Sequence, residues 1–69
     1  MMSPAQARVY GWVAQYIQDN QYPPTVEEIA VGLGYGSKAT VQAHLDILRD
    51  KGFLAGAGRK LRLGWRDAP

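Results

Sequence analysis

Three stretches of the chain repeat their apolar residues at helical spacing, and a fourth alternates. In the first, Ala5, Val9, Trp12, Val13, Tyr16 and Ile17 fall on one broad stripe, as in an amphipathic helix resting on a core. Ser3 supplies an N-cap oxygen, and Pro4 takes the first helical position, where a missing N–H costs little. The helix is expected to run to about Asp19 and to end at Asn20-Gln21. Gly11 lies inside it at a cost of about 1 kcal/mol relative to alanine; close packing or a backbone contact there would explain it.

Tyr22-Pro23-Pro24 must be extended, because proline disfavours helix in the residue before it. Thr25 and Glu28 then have capping-box spacing, and Val26, Ile29, Ala30 and Leu33 form the buried stripe of a short second helix. Gly34-Tyr35-Gly36 is a tight turn into Ser37, the N-cap of a third helix that runs to Lys51 and is closed by Gly52. Val41, Leu45 and Leu48 share its inner face. Ala39, Gln42, Ala43, Asp46 and Asp50 lie opposite, with Lys38 and Thr40 beside the N-terminal half. Helices joined by so few residues have helix-turn-helix spacing, with the third helix placed to enter a DNA major groove. A plain corner between two packed helices has similar spacing.

After Gly52 the period changes from 3.6 to 2. Phe53-Leu54-Ala55 is expected as a short strand and Gly56-Ala57-Gly58 as a turn. From Lys60 to Trp65 the residues alternate, with Leu61, Leu63 and Trp65 inward and Lys60 and Arg62 outward. The pattern predicts a mainly α fold with a small β-hairpin: a winged helix-turn-helix of three helices and a two- to three-stranded antiparallel wing. It would occupy residues 1–66, leaving 67–69 as a frayed tail.

A chain of 69 residues allows one domain with a thin core, burying roughly 60% of its unfolded surface. With no cysteine, neither disulfides nor a Cys-based zinc site can supplement that core. No apolar run approaches the ~20 residues of a membrane span, and the N-terminus lacks the regions of a signal peptide. A cytoplasmic, nucleoid-associated protein is the expectation. Net charge is only +2, but its distribution is uneven. Residues 1–36 carry Arg8 against Asp19, Glu27 and Glu28, whereas residues 49–66 carry Arg49, Lys51, Arg59, Lys60, Arg62 and Arg66 against Asp50. A basic C-terminal third suits phosphate binding, although loose solvated charge has the same composition.

Catalysis finds no support. His44 is the sole histidine, beside Leu45 and Ile47, with no partner at nucleophile or metal spacing. Glu27 and Glu28 are adjacent and diverge by about 100° on a helix, and Glu28 already has a capping role. No catalytic residue, metal or cofactor is expected. The aromatic residues Tyr10, Trp12, Tyr16 and Trp65 suit the core or its rim; Tyr35, in the turn, is a weak candidate for stacking on bases.

The segments Tyr22-Pro-Pro-Thr-Val-Glu-Glu-Ile-Ala30, Leu33-Gly-Tyr35, Ser37, Thr40-Val41, His44-Leu45, Leu48 and Lys51-Gly52 together resemble the N-terminal DNA-binding domain of LexA-type repressors, in a version closer to the Gram-positive type. The resemblance covers nearly the whole chain. It implies a winged-helix fold and sequence-specific binding of double-stranded DNA, usually as a bacterial or phage repressor at palindromic operators. Read across, Ser37, Ala39, Thr40, Gln42 and Ala43 take the base-facing positions. The enterobacterial pattern has asparagine and glutamates where Ala39, Gln42 and Ala43 stand, so its operator does not carry over, and the wing here is shorter. The family also carries a C-terminal domain, with a Ser–Lys dyad that dimerises and cleaves the protein between Ala and Gly; this chain ends before any such domain. Ala55-Gly56 falls inside the wing and is taken as turn chemistry.

These identities suit base contact. Gln42 can pair bidentately with adenine, and Ala39, Ala43 and the Thr40 methyl can meet thymine methyls. Lys38, Arg59, Lys60 and Arg62 are the phosphate candidates, which position a protein without specifying sequence. A single module would hold a half-site weakly, so a second copy is expected, through another domain or side by side on DNA. Two other functions fit the same fold. One is a protein-interaction module using Ala39, Ala43, Asp46 and Asp50. The other is a shape-selective binder of double-stranded RNA or left-handed DNA.

Overall fold

The computed structural model describes residues 2–64. Three helices and a hairpin follow in the predicted order: α1 (Pro4–Asn20), α2 (Val26–Leu33), α3 (Lys38–Asp50), β1 (Leu54–Ala55) and β2 (Arg62–Leu63), with a 3-10 turn (Gly58–Lys60) between the strands. The architecture is a winged helix-turn-helix.

Each helix start is set by neighbouring residues. The Ser3 hydroxyl accepts from the Gln6 N–H at 3.2 Å while the Gln6 side chain accepts from the Ser3 N–H at 3.1 Å. Thr25 and Glu28 repeat this reciprocal arrangement at the start of α2, at 3.1 and 2.8 Å. Ser37 accepts from the Ala39 N–H at 3.2 Å. Such caps contribute about 1 kcal/mol each.

The ends differ slightly from expectation. Helix α1 runs one residue further, to Asn20, and closes on Gln21 in the left-handed conformation (φ 66°), its N–H donating to the Ile17 carbonyl. Helix α3 stops at Asp50 with Lys51 still right-handed. Gly52 (φ 84°) then turns the chain so that the Phe53 N–H reaches the Leu48 carbonyl at 2.9 Å.

One core unites the elements. Val9 and Val13 from α1, Ile29 and Ala30 from α2, and Val41, Leu45 and Leu48 from α3 pack together with Leu54 and Leu61 of the wing. Helix α3 contacts α1, α2 and β1, so its inner face lies at the centre and its outer face is left to solvent. Among the described residues, the buried polar side chain is that of Gln6. Its side-chain oxygen also accepts from the Lys51 ammonium at 3.1 Å, joining the start of α1 to the end of α3.

The wing departs most from the alternating pattern. Strands were expected over 53–55 and 60–65, but pairing is confined to Leu54 with Leu63 and Ala55 with Arg62, a two-stranded hairpin. Gly56 takes φ 76°, where a Cβ would crowd the Lys60 backbone, 2.9 Å from its carbonyl carbon. The chain tightens there into the 3-10 turn, which takes Lys60 off the expected strand. Leu61 leaves that turn and drops into the core, so the predicted alternation of burial survives without a continuous strand. Leu61 is buried, Leu63 half-buried, and Lys60 and Arg62 exposed. Trp65, Arg66 and the tail at 67–69 lie outside the described residues.

Gly11 does not mark a close contact; a Cβ there would meet nothing within 4 Å. Of the two helical glycines the one that does is Gly32, whose backbone lies against the Trp12 indole.

Candidate nucleic-acid interface

The outer face of α3 has no part in the core. Ser37, Lys38, Ala39, Thr40, Gln42 and Ala43 are all exposed. Two alanines in the middle of that face leave the helix backbone open to close approach by another surface. The Ser37 hydroxyl is engaged in the cap.

Gln42 stands on the flank of this face toward the wing, and its amide is not loose. Its Nε2 donates to the Asp46 carboxylate at 2.9 Å. Arg49 pairs with the same carboxylate oxygen and donates from Nη1 to the Gly56 carbonyl at 3.0 Å. The Gln42 hydrogen bond, followed by Arg49, holds the Asp46 carboxyl below its ordinary range. Asp46 therefore stays ionised, with a guanidinium against its charge, which blunts the repulsion it would otherwise direct at phosphates.

The cations of the C-terminal third separate by role. Arg49 serves the link just described and Lys51 donates to Gln6. Arg59 and Lys60 on the 3-10 turn and Arg62 on β2 are exposed. So the three wing cations predicted to meet phosphate are grouped at the hairpin, while two others counted with them are committed to internal contacts. Arg66 lies outside the described residues.

A cleft of about 220 Å³ separates the wing from the helices, floored by Val26, Leu45 and Leu61 and edged by Gln42, Arg49 and Arg59. It brings the flank of α3 and a wing cation to one groove. Tyr35 is half-buried beside His44, with ring centroids 5.9 Å apart, and the Arg8 guanidinium lies 6.0 Å from its ring centre. These neighbours engage the ring and disfavour a stacking role. His44 Nδ1 is buried without a hydrogen-bond partner. Among the described residues no cluster of potential metal ligands occurs, and no helix is long and apolar enough to cross a membrane.

Sequence inspection did not find the Gln42–Asp46–Arg49 link. The signal is present in the spacing, since residues three and four apart share a helix face. The joining of Gln6 to Lys51, 45 positions away, left no such signal.

A short turn between α2 and α3, an exposed outer face on α3 and a cationic hairpin beside it together define a winged helix-turn-helix DNA-binding domain. The comparisons with known proteins are specific. The chain matches the LexA DNA binding domain family over residues 1–62, and it belongs to that family. It is 47% identical to the LexA repressor of Syntrophobacter fumaroxidans over 53 residues, covering 77% of this chain and 26% of that protein. Against the LexA repressor of Carboxydothermus hydrogenoformans it is 39% identical over 54 residues, 78% of this chain and 26% of the relative. A Staphylococcus aureus LexA repressor is 39% identical over 57 residues, 83% and 28% of the two chains. The chain thus spans about a quarter of the length of these relatives.

Proposed function

We propose that this chain is the sequence-reading module of a transcriptional repressor, binding double-stranded DNA with α3 in the major groove. Ser37, Ala39, Thr40, Gln42 and Ala43 face the bases; Lys38, Arg59, Lys60 and Arg62 meet the phosphates on either side. The observation that carries this reading is the outer face of α3: exposed, small in its middle, and flanked by Gln42 on the same cleft as the wing's Arg59. A side-chain amide can read adenine's edge, and methyl-bearing residues suit thymine.

One module of this size covers about 600–1,000 Å², enough for a half-site. Operator affinity then requires a second copy, supplied by a dimerising partner domain or by adjacent docking on DNA. Repression follows from occupying the operator.

Selection from random double-stranded DNA, with the winners titrated at two salt concentrations, tests the proposal. The expected result is an enriched half-site or palindrome whose affinity falls linearly on logarithmic axes with salt. Binding without a motif would replace sequence reading with shape reading, and no binding at low salt would reject the DNA role of the isolated chain.

A further inference from the structure

Asp46 lies beside the proposed reading surface, and its partners restrict what Gln42 can do. A carboxylate only accepts hydrogen bonds, so the end of the Gln42 amide that faces it, 2.9 Å away, is the NH2 group. Arg49 holds the same oxygen and is itself anchored on the Gly56 carbonyl of the wing. Gln42 is therefore the outer end of a chain of polar contacts that begins in the hairpin. One of its two N–H groups is spent on Asp46. One N–H and the carbonyl oxygen remain.

That remainder matches adenine, whose major-groove edge offers the N7 acceptor and the N6 amino donor. Guanine offers two acceptors, N7 and O6, and full pairing with it takes two donors. A glutamine with both N–H groups available can turn its NH2 toward such an edge. One held by Asp46 cannot.

We propose that Asp46 is a specificity-determining positioning residue, which commits Gln42 to adenine and against guanine by holding its NH2 group. The inference rests on the assignment of Gln42 to the base-facing set. Arg49 keeps the carboxylate in place and relates its position to that of the wing. The same contacts hold the titration of the carboxyl below its ordinary value.

Binding-site selection with the whole chain tests this, using the natural sequence, Gln42→Ala, Asp46→Ala and Asp46→Asn. Gln42→Ala locates the base pair concerned as the position whose preference disappears. There, Asp46→Ala is expected to lower the adenine-over-guanine preference by about tenfold, within the discrimination a bidentate contact carries, and to leave the other positions unchanged. Asp46→Asn keeps an acceptor oxygen beside Gln42 and should retain most of the preference. A loss of helix packing would weaken all positions together, so a change confined to one base pair separates positioning from stability. The Asp46 side chain is 57% exposed, and a circular dichroism melt checks that each variant is folded. Asp46→Ala with an unaltered preference at the position that Gln42→Ala abolishes would overturn the proposal and leave DNA reading intact. A natural chain that enriches no motif, or a Gln42→Ala variant with an unchanged one, would remove the base contact and the proposal with it.

Discussion

The Trp12 indole rests directly on the backbone of Gly32, so that a Cβ added to Gly32 would sit 2.6 Å from Cε2 and 2.8 Å from Nε1. Tyr16 stacks on the same indole at 5.4 Å between ring centres, which limits where the ring can move. Helix α2 can approach α1 this closely only because residue 32 has no side chain.

The two helical glycines should therefore respond in opposite directions. Gly11→Ala meets nothing within 4 Å and should raise stability by about 0.5–1 kcal/mol through helix propensity alone. Gly32→Ala gains the same propensity but forces the indole aside. Overpacking of this kind costs about 1–3 kcal/mol, so a net loss is expected. Urea unfolding of both variants gives the two signs, and a stabilised Gly32→Ala would show that the Trp12 contact imposes no constraint.

Adjacent positions on α3 should differ as sharply. Leu48 is fully buried where the helices and the wing meet, whereas Ile47 is 38% exposed. Leu48→Ala should cost about 2–5 kcal/mol, a large part of what a domain this small has. Ile47→Ala should change stability by about 0.5 kcal/mol or less. Thermal melts followed by far-ultraviolet circular dichroism would distinguish them.

Acid should weaken the fold through Glu28. Its carboxyl is held below its ordinary value of 4.5, chiefly by the Thr25 N–H and next by the Tyr16 hydroxyl, which donates to it at 3.1 Å. A carboxylate with a lowered folded-state pKa contributes stability that is present above 4.5 and is lost as pH falls through the folded value. Asp46 acts in the same direction. The melting temperature should decline below that point, and Glu28→Gln, which can still complete the capping box, should decline less steeply. Equal slopes for the two proteins would remove Glu28 from the account.

Base and phosphate contacts should separate in binding measurements. Gln42→Ala is expected to change base preference with a modest loss of overall affinity. Arg62→Ala should weaken all sequences alike and flatten the salt slope by about one unit. Fluorescence anisotropy on the selected site and a scrambled one, over a salt series, reads both. An Arg62→Ala variant with an unchanged slope would take Arg62 off the phosphate backbone.

Much of the fold was legible because its signals are local. Ser3, Thr25 and Ser37 start helices by bonding to N–H groups two or three residues on. The inner stripes of α1, α2 and α3 follow from a 3.6-residue period that needs no knowledge of what they face. The short Gly34-Tyr35-Gly36 connection fixed the helix-turn-helix order, and with it the exposed candidates from Ser37 to Ala43.

The sequence by itself determined which segments are helical, which side of each is apolar and which residues stand outward on α3, since these depend on neighbours within one turn. Tertiary structure decided the rest. The wing shrank to two residue pairs because the chain at Gly56 and Gly58 coils toward a core that also claims Leu61. Lys51, counted in the sequence only as part of a basic C-terminal third, turns inward because Gln6, far away in sequence, offers it an acceptor. Arg49 turned to Asp46 and the Gly56 carbonyl once α3 and the hairpin had packed together. Charge is a property of the residue, but what a charge faces is set only when distant segments meet.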